Sequence, residues 1–212
     1  MWRAVFILCL AGLLPAEIID RVAIAVGRQV ITELQIDEEI RITAFLNRQP
    51  VVRDGDARRE AADRLVEQFL VKREMELSRY PLPGEEEIDK YLAEVREGFG
   101  SAEQFRRALA EYQLSEATLR EHLALQLTTL RFIEFRFRPD VGVSDADIQN
   151  EYQRNVAAWK ANHPGEPAPT LAASRETILR SLIETRTDAA LDTWLEESRK
   201  QLNIVYLDKS LQ

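Results

Sequence analysis

The chain has 212 residues, 45% of them hydrophobic and 30% charged, and its 36 acidic residues outnumber its 28 basic ones to leave a net charge of −8. A protein that grips a phosphate backbone needs the opposite sign, so the composition argues against a nucleic-acid partner. A single cysteine, Cys9, and two histidines, His122 and His163, leave no set from which to build a disulfide framework or a thiolate zinc site.

The first 16 residues read as a secretory leader: Met1-Trp2-Arg3 carries one positive charge, AVFILCLAGLLPA is uncharged and apolar, and Glu17 begins polar sequence. The apolar stretch falls short of the roughly 20 residues that a membrane span needs. Ala16 suits the end of a leader, although Leu14 is bulky where a small side chain is preferred, and Leu8 before Cys9 is a poor match to a lipoprotein signal. Cleavage would remove Cys9 and Arg3, leaving a cysteine-free exported protein one unit more negative. About 196 residues would remain, enough for a sizeable core.

Ile18 to Ile31 is predicted to form a small hairpin: Val22 to Val26 is a short apolar run rich in β-branched residues, Gly27-Arg28 supplies the turn, and Gln29-Val30-Ile31 resumes the extended pattern. Thr32 and Gln35 have capping-box spacing and open a helix. From Asp54 to Tyr80, Ala57, Ala61, Leu65, Phe69 (or Val66 and Leu70) and Leu77 recur at helical steps, and Pro81 and Pro83 end the segment. Glu85-Glu86-Glu87 begins the next helix with acids where its dipole favours them, carrying Ile88, Tyr91, Leu92 and Val95 up to Gly98 and Gly100. Ser101 with Gln104 starts a short helix bearing Phe105, Leu109 and Tyr112, and Ser115 caps the one after it.

The helix from Ser115 to about Arg138 is the most apolar beyond the leader. One stripe holds Leu119, Leu123, Leu127, Leu130, Ile133 and Phe137, and a second holds Leu125, Phe132 and Phe135, so the helix is expected to be central. A further capped helix opens at Val143-Ser144-Asp145-Ala146-Asp147-Ile148 and carries Tyr152, Val156 and Trp159. Residues 161–170, with three prolines, form a loop. A last long helix runs from about Leu171 to Leu202 with Ile178, Leu179, Leu182, Ile183, Ala190, Leu191, Trp194 and Leu195 on its buried side. The closing Ile204-Val205-Tyr206-Leu207 reads as a strand and is the natural partner of the opening hairpin. The expected fold is therefore mainly α with a small β-sheet in which the two ends of the chain meet.

Two motifs and this order of elements resemble the SurA-like periplasmic chaperones, related to the PrsA foldases. Val26 to Asp37, VGRQVITELQID, is similar to the family's Val-Asn-Gly-x-Val-Ile-Thr opening, and Val143 to Tyr152, VSDADIQNEY, looks like the segment that ordinarily leads into a parvulin isomerase domain. Gly27-Arg28 departs from the family's Asn-Gly turn. A larger departure follows Asn155: about 15 residues precede the last helix, where a folded domain needs on the order of 50. The resemblance thus implies the helical chaperone core, residues 17–160, completed by residues 171–212, with the Pro-rich loop 161–170 standing where the isomerase would be inserted.

The expected function is a periplasmic chaperone that binds unfolded exported chains, outer-membrane proteins among them, through apolar surface, with no cofactor, no metal, no stable membrane insertion and no enzymatic activity. Phe99, Phe105, Tyr112, Leu125, Phe132 and Phe135 are the candidate client-binding side chains, and ordinary core packing competes for them, because a helix apolar on two faces is more often buried twice than exposed once. The alternatives are an envelope subunit that docks one specific partner, and a prolyl isomerase. His122 is expected on a solvent-facing helix surface and His163 in the loop without a role. Asp145-Ala146-Asp147 begins like a calcium loop but lacks the glycine that such a loop requires. No nucleophile elbow, phosphate loop or dinucleotide fingerprint occurs.

Overall fold

The computed structural model of the protein describes residues 20–211; the leader 1–16, its Cys9, and Ile18 and Ile19 of the expected hairpin lie outside them. The order is β1 (Val22–Val26), β2 (Gln29–Thr32), α1 (Glu33–Asn47), α2 (Gly55–Leu77), α3 (Glu85–Glu97), α4 (Ala102–Glu111), α5 (Glu116–Arg136), α6 (Asp145–Asn162), α7 (Leu171–Gln201) and β3 (Ile204–Tyr206). The protein is mainly helical with one small sheet, as the sequence predicts.

That sheet has the order β2-β1-β3 and is antiparallel throughout. Val26 pairs with Gln29 across the turn, and on the other side with Ile204, so the end of the chain closes on its beginning. Gly27 takes φ +59°, which a side chain adopts only with strain, and its N–H donates to the Asn203 carbonyl at 3.0 Å. The turn residue therefore belongs both to the hairpin and to the closing strand.

Caps set the helix starts. Thr32 and Gln35 form a full capping box, with Gln35 N–H donating to Thr32 Oγ1 at 3.3 Å and Thr32 N–H to Gln35 Oε1 at 2.9 Å. Ser144 and Asp147 repeat it at α6, whereas Ser101 accepts from the Gln104 amide without a reciprocal bond. Asp54, Ser115 and Thr170 each accept from the third amide of α2, α5 and α7.

Three apolar clusters hold these elements together. The first joins the sheet to α1, α2 and the C-terminal part of α7: Ala23, Ile24, Val26, Ile36, Ile40, Ala61, Val66, Leu70, Leu195 and Leu211 are all buried in it. Leu195 of α7 and Leu211, in the turn beyond β3, lie in the same cluster as the hairpin, and Ile204 and Tyr206 of β3 pack against it. The second cluster packs the end of α1 against α3, α4 and the start of α5 around Phe45. The third seals the far ends of α2 and α5 with Val71, Met75, Phe132 and Phe137, and Trp194 of α7 covers it. In α2 the buried stripe is the one through Val66 and Leu70, while Leu65 and Phe69 are half-buried and Leu77 is exposed.

α6 packs against the N-terminal half of α7, where Ile148 and Ile178 are buried. Ion pairs fasten the pair, Asp147 to Arg186 at 2.8 Å and Asp145 to Arg175, and Tyr152 Oη donates to the Pro169 carbonyl at 3.0 Å. Both aspartates of the segment that begins like a calcium loop are thus used as caps or ion-pair partners. His163 stacks on Trp159 with ring centroids 4.0 Å apart.

Candidate functional site

Glu39 of α1 lies one turn before Thr43, on a face that meets both α2 and α5. Its Oε2 stands 3.1 Å from Nδ1 of His122, and its Oε1 accepts from Arg64 Nε at 3.1 Å and from Thr43 Oγ1 at 3.4 Å. Arg64 Nη2 donates in turn to Thr43 Oγ1 at 3.3 Å. Glu39 is only 3% and His122 only 6% exposed, so the expectation of a solvent-facing His122 is corrected. α5 turns that face inward because α1 and α2 converge on it, and a buried carboxylate needs hydrogen-bonded partners of this kind to be tolerated there.

Arg64 carries this buried cluster to the surface, at one end of a groove of about 370 Å³. The floor is Arg64, Glu67, Gln68 and Val71, which the helical repeat of α2 places on one face. One wall is Gln126, Thr129 and Leu130 of α5 with Tyr91 of α3; the other is Leu191 and Leu195 of α7. Val71 and Leu191 belong also to the third cluster, where Phe132 and Trp194 meet at 4.6 Å, so the groove abuts an aromatic stop. Leu130 on the rim is 55% exposed.

Polar groups are few and oriented. Tyr91 Oη donates to Gln126 Oε1 at 3.3 Å, while the buried Gln68 Oε1 has no hydrogen-bond partner among the described residues. Arg199 of α7 bridges Glu67 at 2.9 Å and Asp63 at 3.3 Å. Burial raises the Glu67 carboxyl above its ordinary range, and Arg199 pulls it back in part. Apolar walls, an open top and a handful of amide and hydroxyl groups suit an extended apolar segment of chain. Among the described residues no three His, Cys, Asp or Glu side chains converge as a metal site.

The six residues singled out in the sequence part into four places. Phe99, Phe105 and Tyr112 surround Phe45 at ring-centroid distances of 4.8, 6.0 and 5.6 Å, with Phe105 fully buried, Phe99 and Tyr112 half-buried, and Tyr112 Oη donating to the Gln49 carbonyl. Phe105 is a core side chain of the second cluster, and Phe99 and Tyr112 pack against it with part of their surface covered. Phe132 is likewise buried, between Phe137 and Trp194. Leu125 is half-buried and lines a separate hollow with Leu82, Pro83, Ile88 and Lys72. Only Phe135 is widely exposed, at 48%, stacked on Tyr80 with centroids 6.1 Å apart.

Of the first stripe of α5, Leu130 reaches solvent; of the second, offered as candidate surface, Phe132 fills the core, which is the competing expectation of ordinary packing. The groove residues Arg64, Glu67, Gln68, Tyr91, Gln126, Thr129 and Leu130 were not singled out as a site. Of the two leucines on the predicted buried side of α7, Leu195 is buried and Leu191 is half-buried with part of its surface in the groove. The one local signal available was the mixture of glutamine and threonine with leucine on α5, a composition too common to point anywhere by itself. Among the described residues no helix is long and apolar enough to cross a membrane. No family model matches the chain, and no curated protein matches it either.

Proposed function

We propose that the protein is the helical core of a SurA-like chaperone without an isomerase domain, exported to the periplasm, which holds unfolded envelope polypeptides in the groove between α2, α5 and α7. The observation that carries this reading is the groove itself: Val71, Leu130, Leu191 and Leu195 offer apolar contact, and charged Arg64 and Glu67 at the floor keep the open surface soluble. The orphaned Gln68 Oε1 supplies an acceptor that a backbone N–H of the bound chain satisfies. The motifs VGRQVITELQID and VSDADIQNEY support the same reading.

The test is suppression of aggregation of a urea-unfolded outer-membrane protein at near-stoichiometric ratios. Suppression that is lost when Leu130→Arg and Leu191→Arg are introduced supports the proposal; no suppression, or suppression indifferent to both substitutions, overturns it. A proline-peptide isomerisation assay run alongside is expected to show only the uncatalysed rate.

A further inference from the structure

A second cleft, of about 490 Å³, lies on the other side of α2, where the hairpin turn meets it. Its apolar lining is Val26, Phe69 and Leu202. Its rim carries Arg28 from the turn and Lys72 and Arg73 from α2, against a single carboxylate, Glu76. Most arginines of this acidic protein are tied to a carboxylate, yet Arg28 and Arg73 form no ion pair among the described residues, nor does Lys72, in common with the other described lysines. Arg73 also faces Glu74 and Glu197 across a neighbouring small hollow without reaching ion-pair distance. The rim of this cleft thus carries three cations from two elements against one carboxylate, over an apolar floor, in a chain of net charge −8.

We propose that this cleft docks an acidic, extended peptide segment of a partner protein, its carboxylates on Arg28, Lys72 and Arg73 and an apolar side chain on Phe69 and Leu202. Lys72 lines this cleft and also the hollow formed by Leu82, Pro83, Ile88 and Leu125, so the path of the segment continues from the cations into a second apolar recess. A concave site of this size fits an extended peptide better than a flat anionic membrane. The site is distinct from the groove between α2, α5 and α7, and does not depend on how that groove is used.

The test is fluorescence anisotropy of a labelled dodecapeptide alternating glutamate and leucine pairs, against the same peptide with glutamine for glutamate. Expected is binding that weakens as salt rises from about 0.05 to 0.5 M, and that falls by about tenfold both for the glutamine peptide and for the Lys72→Glu/Arg73→Glu protein. Arg28→Glu weakens it alone, and Leu130→Arg leaves it unchanged, which separates this result from the fate of the groove proposal. All three cations are exposed, so circular dichroism is expected to show folded variants. Equal binding of the glutamine peptide, or indifference to the charge reversals, overturns the proposal. So does binding to phosphatidylglycerol vesicles with none to the peptide, or a charge-dependent self-association in sedimentation with no peptide binding, which would make the occupant a lipid surface or a second copy.

Discussion

His122 Nδ1 of α5 stands 3.1 Å from Glu39 Oε2 of α1, with both side chains buried and Arg64 of α2 on the other carboxylate oxygen. Three helices are thus tied through one carboxylate. Replacing it by an apolar group removes the carboxylate beside the buried His122 Nδ1 and leaves Arg64 only its longer ion pair with the exposed Glu60, at 3.8 Å. Glu39→Leu is expected to cost about 3 kcal/mol in urea unfolding, and Glu39→Gln, which keeps an acceptor, distinctly less. A Glu39→Leu protein as stable as the parent would sink this account of the cluster.

Asp147 gives a pH-dependent prediction. Its carboxyl is lowered from 3.8 to about 2, first by the hydrogen bond from Arg186 and then by the backbone and side-chain bonds from Ser144. The unfolded chain therefore binds this proton more tightly than the folded one, so the stabilisation is complete above pH 3.8 and is lost as the pH falls through about 2. Asp147→Asn is expected to weaken α6 at about pH 7 and to be indistinguishable from the parent below the folded pKa, as read by amide exchange in α6. A difference that persists unchanged in acid would assign the effect to something other than the charge.

Phe132 and Leu130 of α5, one buried and one exposed, separate stability from binding. Phe132→Ala removes a fully buried ring packed on Phe137 and Trp194 and is expected to cost about 3 to 5 kcal/mol. Leu130→Ser, on the groove rim, is expected to shift stability by no more than about 0.5 kcal/mol while reducing retention of an unfolded client. Denaturant melts and aggregation assays on the same two proteins check both halves, and a reversal of the two stability effects would contradict the packing described.

Gly27 is held at φ +59°, and its amide closes the β3 side of the sheet. An added Cβ meets only Leu202 Cδ2, at 3.6 Å, so space is not what excludes a side chain. Backbone strain is. Gly27→Val is expected to destabilise by about 1 to 2 kcal/mol and Gly27→Asn by clearly less, since asparagine tolerates the left-handed region. Equal effects of the two would point to crowding instead.

How far the sequence could be read depended on the range of each interaction. Thr32 with Gln35, Ser144 with Asp147, the Gly27-Arg28 turn and the proline stops all act within a few residues, so their types and spacing announced them. The pairing of β1 with β3 is long in range yet was legible, because a lone hairpin requires a further strand and the chain offers one apolar candidate at its end. The candidate site was not legible in the same way. Phe99, Phe105 and Tyr112 look like spare aromatics until Phe45, far upstream on α1, is brought among them.

By itself, then, the sequence determined the elements, their caps and the meeting of the two ends, since these follow from backbone preferences and from strand edges that must be paired. Only the tertiary structure decided which side chains of an all-round apolar helix meet solvent. Helical periodicity reports that Leu130 and Phe132 are both apolar, but the neighbour that covers one and leaves the other bare is Trp194 on α7, and the partner that draws His122 inward is Glu39 on α1. Burial is a property of the packed neighbour as much as of the residue, and no local pattern carries it.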